Sequence, residues 1–244
     1  MSEHILLLSL FIFLVAGLYA SVGHGGASGY LALMTLLNMP IATIKPVALM
    51  LNIAVSLIAF IQFYRSGFFN KKLFIPLAIA SVPAAYAGGL LSIDAHVYKQ
   101  LLGGLLFICA IRLAMPLKKE AIVIQHLNIV LVVMIGASIG FLSGMIGIGG
   151  GIILSPLLIL VRYSDIKTTS GISALFIFVN SIAGLLGQMH QGIVFSSSMS
   201  VMIAVAIAGG LIGSYIGARQ LNISMLKKVL AVVLFIASLK LVFV

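Results

Sequence analysis

The sequence predicts an all-α polytopic membrane protein built from two homologous, inverted-topology repeats of about five helical elements each, with glycine loops interrupting the helices. Composition sets the class: of 244 residues, 62% are hydrophobic and 7% charged, and the mean hydropathy is +1.29, values of an integral membrane protein rather than a soluble core. The apolar runs are much longer and less alternating than the roughly ten-residue strands of an outer-membrane barrel, so the spans are helices. The chain also repeats itself. Gly23-His24-Gly25-Gly26-Ala27 falls on Gly147-Ile148-Gly149-Gly150-Gly151 with a shift of 124, Arg65-Ser66-Gly67 on His190-Gln191-Gly192 with a shift of 125, and Gly89, Lys99 and Arg112 on Gly217, Lys227 and Lys240 with a shift of 128. Two homologous halves, 1–118 and 119–244, explain this and form one integrated membrane domain.

Each half reads as a helix, the glycine loop, a short helix and three longer helices. The first apolar run, 5–22, has no basic stretch before it and no small-residue cleavage site followed by a polar chain, so it is expected to be the first helix and not a signal peptide. The glycine loop follows, then a short element at 27–39. At about 1.5 Å per residue it reaches roughly 20 Å, too little for a hydrocarbon layer of about 30 Å. Longer helices are expected at 43–64, 73–92 and 97–115. The second half repeats the series at 127–145, 151–162, 167–189, 197–218 and 225–243. The first two elements of each half either cross the membrane or form a shallower re-entrant pair, and both arrangements keep the halves inverted.

Lys and Arg give the orientation. The loop after the third element carries Arg65, Lys71 and Lys72 in the first half and no Lys or Arg in the second, near His190 to Ser196. The next loop reverses the bias, with Lys99 in the first half and Arg219, Lys227 and Lys228 in the second. With the central Lys118 and Lys119 inside, the positive-inside rule turns the halves upside down relative to each other and places both termini outside. An inverted repeat with interrupted helices is the architecture of secondary transporters, whose sites lie where the halves meet. The net charge of +10 is topology information here, and no nucleic-acid partner is expected.

The chemistry available is narrow. One cysteine, Cys109, lies in an apolar run, which excludes a disulfide framework or a cysteine metal cluster. The acids are Glu3, Asp94, Glu120 and Asp165, each at a terminus or in an expected connection, so no carboxylate is placed to relay protons at depth. No enzyme activity, metal or cofactor is expected. The glycine run is no phosphate loop, because no Lys-Ser or Lys-Thr follows and no strand precedes it. The helical spacing of Gly209, Gly210, Gly213 and Gly217 points to close helix packing. The clustered Gly147, Gly149, Gly150 and Gly151, with Gly23, Gly25 and Gly26 in the first copy, point instead to exposed backbone: N–H groups and the positive end of a helix dipole, which suit an anion.

His24 is the histidine inside this candidate site; it suits proton binding or contact with an anion and is the coupling candidate. Ser28 either caps the short helix or donates to the anion. Asn52, Ser173 and Asn180, with Gln62 and Gln188, are polar groups on long helices; they serve interhelical hydrogen bonding or substrate contact. Lys45 either draws an anion inward or snorkels to an interface. The stretch from Phe63 to Phe69 reads as an interfacial aromatic belt beside basic anchors.

The glycine run followed five residues later by proline, Gly147-Ile148-Gly149-Gly150-Gly151 to Pro156, in a duplicated chain of this length, resembles the TauE/SafE family of membrane transporters, the sulfite exporter group. The resemblance covers essentially the whole chain. The first copy departs from the pattern, with His24 and Ala27 interrupting the run and Ala32 where the second copy has Pro156. The resemblance implies a multi-pass protein of a bacterial-type cytoplasmic membrane that moves a small sulfur-containing anion (sulfite, a sulfonate such as sulfoacetate, or thiosulfate), mostly outward. Alternating access with proton coupling is the expected mechanism, and an anion channel using the same loops is the alternative. Nothing in the sequence sets an oligomeric state.

Overall fold

The computed structural model describes residues 2–114, 127–190 and 197–219, with 231–232, 235–236 and 238–239. Among the described residues there are nine helices: α1 (Ser2–Ala20), α2 (Ala27–Leu36), α3 (Ile41–Arg65), α4 (Lys71–Leu90), α5 (Ala95–Ala114), α6 (Ile129–Ile146), α7 (Gly151–Leu160), α8 (Ile166–Met189) and α9 (Ser197–Arg219). Five of these are long and apolar enough to cross a membrane: α3, α4, α6, α8 and α9. Of the expected last helix at 225–243 only 231–232, 235–236 and 238–239 are described, all helical; the boundary between the halves, Lys118, Lys119, Lys227 and Lys228 lie outside the described residues. The side chain of Cys109 does too.

The expected short elements end earlier than 39 and 162. Both stop because the chain turns left-handed without a glycine to announce it, at Asn38 and Arg162, each with φ 56°. Each end closes with the same bonds. Asn38 N–H donates to Thr35 O and Met39 N–H to Met34 O; Arg162 N–H donates to Ile159 O and Tyr163 N–H to Leu158 O. These are left-handed C-terminal closures at positions 124 residues apart. At ten residues each, α2 and α7 span about 15 Å, half the hydrocarbon layer.

Other helix starts follow from side chains. Asn70 accepts from Lys72 and Leu73 N–H, Asn128 from Leu131 N–H, and Asp165 from Lys167 and Thr168 N–H, so α4, α6 and α8 begin at ordinary caps. Partial burial pushes the Asp165 carboxyl up, but bonds from Thr168 and the Lys167 backbone outweigh it and hold the group below the usual carboxylate range. Its stabilising effect is therefore present above the usual carboxylate pKa and is lost on acidification through the lowered value.

The principal helix pairs come in sets that exchanging the halves maps onto each other: α4 on α6 with α9 on α1, α4 on α8 with α9 on α3, and α2 on α3 with α7 on α8. The α3–α8 pair maps onto itself, and its helices run antiparallel. Asn52 bonds Ser181 near the middle, while a methyl on Gly171, near the start of α8, would meet Phe63 and the Phe68 carbonyl at the end of α3. Small residues set the closest approaches. On α6, methyls at Gly136, Gly140 and Gly144 would run into the backbone of Leu77, Ser81 and Ala85; on α9, those at Gly209, Gly213 and Gly217 would run into Phe13, Gly17 and Ser21. This is the packing that the helical spacing of the α9 glycines predicted, and in lipid such contact supplies much of helix association. Phe60, Tyr64, Phe69 and Phe74 stack edge to face or tilted at the C-terminal end of α3, with Lys167 Nζ 4.8 Å from the centre of the Phe68 ring. Large apolar side chains such as Ile79, Ile129, Val130 and Met134 face outward, as a lipid-facing surface requires.

The same substitution should therefore have opposite effects at two kinds of glycine. Gly140→Ala and Gly213→Ala are expected to cost about 1–3 kcal/mol by overpacking. Gly104→Ala, on a helix surface with nothing within 4 Å, should be neutral or stabilising by up to about 1 kcal/mol. Thermal unfolding in detergent reads the order directly.

Candidate functional site

The two short helices start unlike the capped ones. Their N-caps are Gly26 (φ 99°) and Gly150 (φ 78°), both left-handed and without a side-chain cap. A glycine is needed there because an L side chain is strained at such φ. No partner is described for the N–H groups of Gly25, Gly26, Ser28 and Gly29, or for those of Gly149, Gly150, Gly151 and Ile152. Unpaired backbone at membrane depth is tolerated where it is buried in protein or lines a wet cavity.

The two loops, one from each half, meet on Asn52. Its Oδ1 accepts from Ala27 N–H at 2.9 Å, the first helical N–H after the first loop. Its Nδ2 donates to the Ile148 carbonyl at 3.2 Å, within the second loop, and to Ser181 Oγ at 3.4 Å. Asn52 is fully buried. Gly25 and Gly149 each lie against both Asn52 and Ile177, so close that a methyl on either would collide. The shift of 125 between the starts of α3 and α8 makes Asn52 and Ile177 equivalent positions. In this structure the Asn52 amide is taken by protein groups.

His24 reaches across to the other half. Its Nδ1 lies 3.0 Å from the Val22 carbonyl, and its Nε2 lies 3.2 Å from the Gly151 carbonyl and 3.1 Å from Ser155 Oγ. A carbonyl only accepts, and one faces each ring nitrogen, so either neutral tautomer donates to one of the two. With its proton on Nδ1 the neutral ring accepts from the Ser155 hydroxyl through Nε2; with a proton on Nε2 it donates to Gly151. Ser155 Oγ also meets Ser173 Oγ at 2.7 Å, which joins α7, α8 and the first loop in one polar chain. Tyr19 lies edge-on to His24, ring centres 6.4 Å apart, with its hydroxyl 2.6 Å from Ser28 Oγ.

The remaining expected site residues separate. Gly23 packs on the backbone of Ser170, Gly147 ends α6 beside Lys45, and Gly151 lies against Ile177. Asn180 Nδ2 donates to Phe176 O at 2.8 Å. Its Oδ1 is buried with no partner among the described residues, and the Phe176 bond uses one of the two Nδ2 hydrogens. Gln188 donates across to Gly144 O. Sequence reasoning missed Ser155, Ser181 and Tyr98. Ser155 stands one turn beyond Gly151, on the face that turns back toward the loop, and that spacing was the available signal. Ser181 stands two turns beyond Ser173 on one face of α8. For Tyr98, on a helix remote in sequence, no signal existed.

Comparisons with known proteins are consistent in kind. The family model described as "Sulfite exporter TauE/SafE" matches residues 8–241. The chain is 36% identical over 240 residues to "Probable membrane transporter protein y4hK" of Sinorhizobium fredii, covering 96% of both chains. It is 30% identical over 226 residues to "Probable membrane transporter protein YdhB" of Bacillus subtilis, covering 89% of this chain and 91% of that one. No solved structure matches.

Removing the amide that joins the loops should be costly. Asn52→Leu leaves the Ala27 N–H and the Ile148 carbonyl buried without this partner, and about 1–3 kcal/mol is expected for each. Ser181→Ala removes only the 3.4 Å contact and should cost less than about 1 kcal/mol. Thermal unfolding of the two variants against the parent checks the ranking.

Proposed function

The chain belongs to the sulfite exporter TauE/SafE family of membrane transporters, and from that premise we propose that it moves a small sulfur-containing anion by alternating access between two inverted halves. The observation that carries the proposal is the meeting of the two glycine loops on Asn52, one loop from each half, beside short-helix starts where, Ala27 apart, no partner is described for the N–H groups of Gly25, Gly26, Ser28, Gly29 and Gly149 to Ile152. Such groups bind oxyanions without needing a positive side chain. Asn52 acts as the positioning residue, holding one loop through each end of its amide. Gly23, Gly25, Gly26, Gly147, Gly149, Gly150 and Gly151 give the backbone its reach, and Ser28 and Ser173 are hydroxyls for contact with the anion. The antiparallel α3–α8 pair supports inversion, since a repeat related by an axis along the membrane normal would run these helices parallel.

His24 couples transport to protons in this reading. Protonation changes Nε2 from an acceptor of Ser155 to a donor toward Gly151 and so alters a bond between the halves. Bacterial-type cytoplasmic membrane, export and external termini complete the proposal; they rest on family resemblance and on the Lys and Arg distribution.

Flux in proteoliposomes tests it. Sulfite or sulfoacetate uptake should saturate with concentration and should accelerate when a pH gradient is imposed. His24→Gln should keep saturable uptake while losing most of that acceleration. Current that follows voltage without saturating would establish the channel alternative instead.

A further inference from the structure

We propose that Lys45 is an anion-binding residue of this pathway, its ammonium held beside the second glycine loop to receive the substrate's negative charge; this rests on the anion-transport reading above.

Lys45 stands just inside the start of α3 and is only 7% exposed. A buried ammonium is costly unless something offsets the lost hydration. Four acids exist in the whole sequence, and among the described residues none meets Lys45. Asp165 is committed to capping α8, and Asp94 takes the His96 N–H. The described contact of the Lys45 charge is the face of Tyr98, with Nζ 5.3 Å from the ring centre. A cation over an aromatic face gains about 0.5–2 kcal/mol, less than the effective penalty of several kcal/mol for burying an ion. The side chain is held in place and left short of a counter-charge.

What surrounds it indicates where that counter-charge comes from. Tyr98, itself 1% exposed, donates its hydroxyl to the Ile146 carbonyl at 2.9 Å. That bond ties the ring to the last residue of α6, where the second glycine loop begins. Gly147 packs on the Lys45 backbone, a methyl there lying 3.5 Å from its carbonyl oxygen. Lys45 and Asn52 are seven residues apart on α3 and so share a face, placing the ammonium along the same line as the residue that joins the loops. A snorkelling lysine reaches toward water and packs its stem on apolar surface; this one is buried, with its ammonium over an aromatic ring and its backbone against a glycine loop.

The equivalent position in the second half sharpens the point. The shift of 125 puts Ser170 where the first half has Lys45, and Gly23 packs on Ser170 as Gly147 packs on Lys45. Ser170 turns its hydroxyl onto its own helix, donating to Ile166 O at 2.9 Å. Packing alone is therefore satisfied by a small residue at this place. The charge is an addition in one half, and it makes the pathway electrically one-sided.

The test is thermal unfolding of the detergent-purified full chain, with and without sulfite, sulfoacetate or acetate at constant ionic strength, for the parent, Lys45→Gln and Lys45→Arg. Ligands that bind the folded state raise its melting temperature by mass action. In Lys45→Gln the apparent affinity for the stabilising anion should fall at least tenfold, while the melting temperature without anion stays level or rises, because an unpaired buried charge has been removed. Lys45→Arg should keep most of the affinity. A parent stabilised by sulfite with Lys45→Gln stabilised equally would overturn the role of Lys45 and leave anion transport standing. A lower melting temperature without anion, with the anion response intact, would make Lys45 a packing residue and overturn the proposal. If no anion stabilises the parent, the transport reading falls and this inference falls with it.

Discussion

A single amide holds the centre of the molecule together. Inside a bilayer every backbone polar group needs a partner, because water is not there to supply one. Interrupting two helices with glycine loops at mid-molecule creates such a need twice, and Asn52 answers part of both at once, accepting from Ala27 N–H and donating to Ile148 O. A hydroxyl could not span the two loops, and a carboxylate would lack the donor. The choice of asparagine forces the rest: glycines at 25 and 149 to admit the amide, left-handed N-caps to turn each loop into its short helix, and close helix packing to keep the seam in register.

That packing divides the molecule into firmer and more polar contacts. Along α4–α6 and α1–α9, backbone approaches backbone through rows of small residues, a geometry that favours rigid pairs. Between α3 and α8 the contacts include side-chain bonds, Asn52 to Ser181 among them, and the neighbouring His24–Ser155–Ser173 chain links the halves. Bonds of this kind can be exchanged for others at modest cost, whereas a glycine row must separate as a whole. In the proposed cycle, motion would therefore fall along the polar seam, with the small-residue pairs kept together.

Much of the architecture was legible because membrane composition is a strong signal. Long apolar runs located α3, α4, α6, α8 and α9, and clustered rather than helically spaced glycines separated the loops from the packing face of α9. The ends of α2 and α7 were misjudged because Asn38 and Arg162 adopt the left-handed turn usually marked by glycine. Asn52 was recognised as polar and out of place, but its link to two loops depends on residues 25 and 96 positions away, a distance no local pattern encodes. Ser155 sits where the first copy has Leu31, so the repeat itself concealed it.

The differences between the copies matter as much as their likeness. In an inverted repeat, exchanging the conformations of the two halves converts one access state into the other, and identical halves would give the two states equal energy. Here the first half carries His24, Lys45 and Asn52 where the second carries Ile148, Ser170 and Ile177. The three substitutions fall at the loop, beside the loop and between the loops, while the packing glycines and the left-handed helix ends recur in kind. Under the proposed transport cycle, a charge, a titratable ring and an amide placed in one half would make the two states unequal in their affinity for an anion and a proton. In the proposed cycle the recurring scaffold would supply the motion, and the first half's side chains the bias between its two states.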